Sequence, residues 1–187
     1  ALVDRRLVAP QALGRYLAAG PKTLTATFAC RAAADRLREL LRGARGSVDA
    51  FLDDGPIHHP HFAMLAADIR QLCAPAGAEA DALDTRAGQA AFRALVDRLR
   101  AYFLKQDGDP RGRNFTGTPF NAADCDSEDT WKRHRQAAAA LAPPIAEAIR
   151  AFRRDLNVVM SRGVWRIFAV ALHQYQRTLE AHALLDF

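Results

Sequence analysis

The stretch "FRALVDRLRAYF" (Phe92–Phe103) decides the fold class. Phe92, Leu95, Val96, Leu99 and Phe103 recur at i, i+3, i+4, i+7 and i+11, which gathers apolar side chains on one face of an α-helix, and Asp84 or Thr85 is placed to cap its start. The same period governs the rest of the chain. A short helix is expected from Pro10 to Ala19, closed by Gly20-Pro21, and a longer one from about Leu24 to Arg42. The longer helix places Phe28, Leu37, Leu40 and Leu41 on its buried side and ends at Gly43. After "PIHHPH" (Pro56 to His61), Phe62, Leu65, Ile69 and Leu72 resume three- and four-residue steps. No segment alternates with the period of a strand, so the expectation is an all-α, multi-helix domain over 1–187, with no internal repeat.

Beyond Lys105 the character changes. Residues 106–129 read "QDGDPRGRNFTGTPFNAADCDSED", rich in Gly, Asp, Asn and Thr. This is a long polar loop, and loops of that length inside a domain are usually functional or mobile. Ser127 has the chemistry of an N-cap, with Glu128 and Asp129 in the first turn where the helix dipole favours carboxylates. The helix that starts there is expected to break at Pro143-Pro144. A next one carries Ile145, Ile149, Phe152, Leu156 and Val159 inward, and after Arg162-Gly163 a last helix lines up Val164, Ile167, Phe168, Ala171, Leu172, Tyr175 and Leu179.

Composition narrows the class of protein. Half of the residues are hydrophobic and a quarter charged, which is a globular balance. No window approaches the roughly 18 consecutive apolar residues of a membrane span, and the first residues do not form a signal peptide, so a soluble, cytoplasmic chain is expected, with no membrane partner. Cys30, Cys73 and Cys125 are odd in number and widely spaced, which argues against a disulfide framework or a zinc knuckle. The net charge of +5 and the predominance of arginine among the cations favour polyanionic partners.

Each candidate for chemistry has a plainer competitor. His58, His59 and His61 invite a metal, but adjacent histidines point apart and no Cys or paired carboxylate completes a tetrahedral set; an exposed capping loop accounts for them. "GRNFTGT" (Gly112 to Thr118) has phosphate-loop glycine spacing but lacks the Lys-Ser/Thr pair that would hold phosphate and magnesium. No G-x-S-x-G is present, and the cysteines sit in helical patterns. What remains are basic stretches. They comprise "PRGR" with Arg111 and Arg113, "WKRHR" (Trp131 to Arg135), and a helix face with Arg150, Arg153 and Arg154. Arginines on phosphates, with Trp131 or Phe115 to stack on a base, is the chemistry of backbone or single-strand binding; a solvated helix face is the competing reading.

Three stretches together resemble one family. "QYQRTLEAHALLDF" (Gln174 to Phe187) is similar to the segment of UvrD/Rep-type superfamily 1 DNA helicases in which a helix with a Tyr and a basic residue ends in Leu-Asp-Phe. "FLKQDGDPRGR" (Phe103 to Arg113) resembles the LTxxGxPRK stretch of the AddA/RecB-like branch, and "LAAGPKTLTATFACRAAADRL" a helical stretch upstream of it. This sequence has Gly112 where the family tends to have Lys after Pro-Arg.

The resemblance implies the helical accessory (1B) region that interrupts the first ATPase domain, the chain returning to that domain after Leu-Asp-Phe. The opening at Ala1 and the end on "ALLDF" are read in the same way, as those of a fragment, with Phe187 poorly buried within it. The parent would be a bacterial DNA helicase acting in recombination or double-strand break repair, with ATP and Mg as its cofactors. The chain itself has no GxGxGKT and no Walker B acidic pair, so no cofactor and no catalytic residue are expected within it, and its partners would be DNA and the rest of the helicase. The residues expected to touch DNA are Lys105, Arg111, Arg113, Lys132, Arg133 and Arg135. The alternative is a helical protein-interaction module in which the stripe around Phe168, Leu172 and Tyr175 accepts a partner.

Overall fold

The computed structural model describes residues 24–74, 82–112 and 120–181. Within them lie five α-helices: α1 (Ala26–Gly43), α2 (Arg45–Asp53), α3 (Pro60–Cys73), α4 (Arg86–Phe103) and α5 (Glu128–Ala181), with a 3-10 turn at Ala122–Asp124. No strand occurs among the described residues beyond an isolated antiparallel bridge between Leu104 and Pro110. The all-α expectation therefore holds. The helix expected over Pro10 to Ala19 and the exposure expected of Phe187 lie outside the described residues.

Where the sequence shows no sharp boundary, the chain divides into two compact units, Thr27–Arg153 and a second made of Ala1–Ala26 with Arg154–Phe187. The first has a continuous core. α1 buries Ala29, Cys30, Ala33, Ala34, Leu37 and Leu41, α3 buries Phe62, Leu65, Ala66, Ile69 and Leu72, and α4 buries its whole apolar stripe together with Tyr102. Thr85 is the cap of α4, its hydroxyl accepting from the Gly88 N–H at 3.0 Å. His59 caps α3, accepting from the His61 N–H, with Pro60 in the first helical position where its missing N–H has no cost.

Phe28 departs from expectation: it is 52% exposed. It sits roughly half a turn from the centre of the Ala29-Ala33-Leu37-Leu41 stripe, at about 100° per residue, so the small alanines rather than the aromatic ring face the core. α2 was not legible in the sequence. It has nine residues and its N-cap Ala44 makes no side-chain cap bond, yet its Phe51 is the centre of the core. The Phe51 ring packs against Phe62, Tyr102, Phe103 and His134, with centroids 5.4, 5.2, 5.1 and 4.7 Å away.

The long polar stretch contains order. Lys105 and Gly108 close a turn in which Gly108 N–H donates to Lys105 O at 3.0 Å, and the Arg111 N–H returns to Phe103 O at 2.8 Å. Gly108 has φ 91°, a left-handed conformation that glycine adopts without a Cβ clash. Further on, Asn121 and Asp124 form a reciprocal capping box, and the Ser127 hydroxyl accepts from the Thr130 N–H at 3.1 Å as the cap of α5.

α5 corrects two expected breaks. It runs unbroken from Glu128 to Ala181, through Pro143-Pro144 and through Arg162-Gly163. The two prolines forfeit the hydrogen bonds that Ala139 and Ala140 carbonyls would accept, a local cost of about 3 kcal/mol each in a helix interior. Burial of Leu141, Ala142, Ile145, Ala146 and Ile149 around them offsets it, while both prolines face solvent. Gly163 costs only about 1 kcal/mol relative to alanine. In the second unit, the described helical residues carry the apolar side chains of the last stripe, and Val164 and Ile167 are 67% and 73% exposed.

Candidate functional site

The basic stretch that opens α5 resolves into residues doing different jobs. Lys132 is exposed and its Nζ lies 3.1 Å from Asp129 Oδ1, an i,i+3 pair on the helix surface. Arg133 grips Asp54, just past the end of α2, with both prongs of its guanidinium: Nε to Oδ2 at 2.9 Å and Nη2 to Oδ1 at 2.7 Å. That bond, more than the surrounding charge, lowers the Asp54 pKa and raises that of Arg133. Arg135 lies over the Trp131 ring, 5.6 Å from its centroid, as a cation–π contact. Trp131 is also stacked on His134 at 5.6 Å, so its stacking capacity is partly used inside the protein.

His134, read in the sequence as one more member of a basic run, is a core residue. Its Nδ1–H donates to Phe51 O at 2.9 Å and its Nε2 accepts from the Tyr102 hydroxyl, which fixes the neutral tautomer. Burial pulls its pKa down to about 4, only partly opposed by the bond to Phe51 and by the Asp54 charge. Burial likewise pushes the Tyr102 hydroxyl well above its ordinary value. The sequence did carry a signal for this: His134, Ala137, Ala138, Leu141 and Ile145 recur at i, i+3, i+4, i+7 and i+11. Every member of that set is buried.

The other expected contacts lie on the turn after α4. Lys105 is exposed. Arg111 is half-buried, with Nη2 3.5 Å from the Ala101 carbonyl at the end of α4. Arg113 and Phe115 lie outside the described residues. The Asp109 carboxylate of this turn comes within 3.9 Å of Arg150 on α5, so one residue of the basic helix face stands beside it. Arg153 and Arg154 are exposed. Of the six expected residues, Lys105 is exposed, Lys132 and Arg133 are exposed but ion-paired with Asp129 and Asp54, Arg111 and Arg135 make contacts within the protein, and one is undescribed.

The remaining candidates for chemistry do not assemble. His58 faces Asp126 at 3.2 Å, while His59 packs edge-on against Phe120 at 4.8 Å and tilts toward His61. Among the described residues, no three His, Cys, Asp or Glu side chains come together in a way that could hold a metal ion. The three cysteines are free thiols whose pKa values burial raises, Cys125 to about 11, which keeps them protonated and poorly nucleophilic near neutrality. No described helix is long and apolar enough to cross a membrane. Comparison with models of known families, with curated proteins and with solved structures gives no match to this chain.

Proposed function

We propose that this chain is a DNA-contacting accessory domain of an ATP-dependent UvrD/Rep-type helicase of the AddA/RecB-like branch, whose parent unwinds DNA for recombination or double-strand break repair. The observation that carries the reading is the ordered set of three family-like stretches, ending in Leu184-Leu185-Asp186-Phe187. The net charge of +5 and the exposed Lys105, Lys132, Arg153 and Arg154 are in keeping with it. Contacts of this kind address phosphates, so they give affinity that falls steeply with salt and little sequence preference. ATP and Mg would belong to the parent's motor, and hydrolysis is not a property of this chain alone.

The test is fluorescence anisotropy with a labelled hairpin that offers both duplex and single-stranded DNA, at low and physiological salt. Wild-type binding should weaken with salt and ignore sequence, and Lys105→Gln with Lys132→Gln, which remove charge without placing a carboxylate beside Asp129, should weaken it further with little change in thermal unfolding. Charge reversal at Arg133 is a poorer probe, because it would set a second carboxylate against Asp54. No binding at low salt would sink DNA contact by this chain.

A second reading rests on a specific observation: Val164, Ile167, Phe168, Val170, Leu172 and Tyr175 are exposed large apolar side chains on one helical segment. Contiguous apolar surface of this kind marks protein contact. In that reading the segment is covered by protein, within the parent helicase or outside it. Ile167→Asp would then abolish the association while leaving hairpin binding intact.

A further inference from the structure

The unit that joins Ala1–Ala26 to Arg154–Phe187 carries an apolar face with no cover among the described residues. Met160, Val164, Ile167, Phe168 and Tyr175 are all exposed, and they recur at i, i+4, i+7, i+8 and i+15 on α5. At about 100° per residue they fall within about a third of the helix circumference, and Arg166 and Arg177 of the same stretch fall on the opposite side. An apolar stripe of that width, sustained over four turns, is the pattern of a helix face that packs against another element.

The other part of the same unit is the N-terminal segment. Residues 1–23 lie outside the described ones, and their sequence matches the stripe in kind. Leu13, Tyr16 and Leu17 stand at i, i+3 and i+4 in the helix expected from Pro10 to Ala19, with Gln11 and Arg15 on its other side. Ahead of Pro10, Val3 and Leu7 are spaced four apart. The lengths agree as well. The stripe from Met160 to Tyr175 runs about 22 Å, whereas a helix over Pro10 to Ala19 would run about 15 Å and the residues before it could reach up to about 30 Å more.

We infer that residues 1–23 dock on this stripe, setting Leu13, Tyr16 and Leu17 against Val164, Ile167 and Phe168. The compact unit shared by the two ends of the chain is the observation that names this occupant rather than a second copy. Tethering favours it further: a segment of the same chain acts at an effective concentration on the order of millimolar, which a second copy or an outside protein has to exceed. The cover is one short segment, so it opens locally while the unit Thr27–Arg153 stays folded. An outside protein then reaches the stripe only by displacing residues 1–23, which makes the segment a built-in competitor for that surface. The inference is independent of DNA contact.

The experiment is methyl NOE spectroscopy of the full chain, labelled at its leucine, valine and isoleucine methyl groups. Leu13 and Leu17 should give NOEs to Val164 and Ile167 in the uniformly labelled chain. A mixture of labelled and unlabelled chains, filtered for contacts between molecules, should give none. Ile167→Asp should remove the NOEs, and Leu13→Asp with Leu17→Asp should speed amide exchange from Val164 to Tyr175 at least tenfold while leaving Leu141 to Phe152 unchanged. Absence of NOEs from residues 1–23 to the stripe in the wild-type chain would overturn the inference. So would NOEs that arise only between molecules, or unchanged exchange from Val164 to Tyr175 in the double variant.

Discussion

The two parts of α5 use similar residues to different ends. From Ala137 to Phe152 one apolar stripe is buried, including Leu141, Ile145 and Ile149 at 2% exposure or less, while from Met160 to Tyr175 large apolar residues such as Val164 and Ile167 face solvent. Helical period and propensity do not separate these segments. What separates them is whether other described elements present a complementary face, since helix stability in proteins comes mainly from packing of an amphipathic face. The earlier segment even tolerates two consecutive prolines, because the core around them over-determines the backbone. The later segment contains no proline, yet no other described element covers its stripe.

The largest effect that would sharpen this comparison is in the core. Phe51→Ala removes a ring packed against four aromatic neighbours and should cost about 3–5 kcal/mol of stability, read by urea unfolding. Ile167→Ala should change stability by less than about 0.5 kcal/mol, as expected of an exposed side chain. Comparable losses in the two variants would break the comparison.

Next in size is a pH effect. The His134 pKa is about 4 when folded, and an unfolded histidine titrates near 6.5. Between those values the unfolded chain binds a proton that the folded chain excludes. Stability is therefore full above pH 6.5 and falls as pH drops toward 4, by about 3 kcal/mol in all. His134→Gln should flatten that part of the stability–pH profile, which chemical denaturation across the range would show.

Gly88→Ala should cost about 1–3 kcal/mol, because the new methyl meets backbone rather than a side chain that can swing away. Gly163→Ala has open space around it and should raise stability by up to about 1 kcal/mol. Thermal unfolding of the two variants distinguishes them directly. The smallest effect is electrostatic: Lys132→Gln should leave unfolding nearly unchanged and, under the proposed DNA contact, lower the slope of hairpin affinity against salt by about one phosphate contact.

Helix type was legible in the sequence because the stripes of α3 and α4 are long and strongly periodic, and the start of α4 because Thr85 caps it. α2 was hidden by its length and by Gly46 and Ser47, which weaken any local helical signal. The prolines misled because the rule against them is local and the packing that overrides it is not. In the candidate interface, charge was legible and partnership was not. Nothing in "WKRHR" says that Arg133 reaches Asp54, 79 positions away, or that Arg135 lies on Trp131. His134 is the exception, since its place on the Ala137-Ala138-Leu141 stripe could have been read from spacing alone.

The most direct measurement is native-state hydrogen exchange along α5, read residue by residue. The amides from Leu141 to Phe152 should exchange only through global unfolding, and those from Val164 to Tyr175 should exchange through local opening at a much lower free energy. Uniform, global-level protection from Leu141 to Tyr175 would contradict the account, because it would mean that the exposed stripe is as firmly held as the buried one.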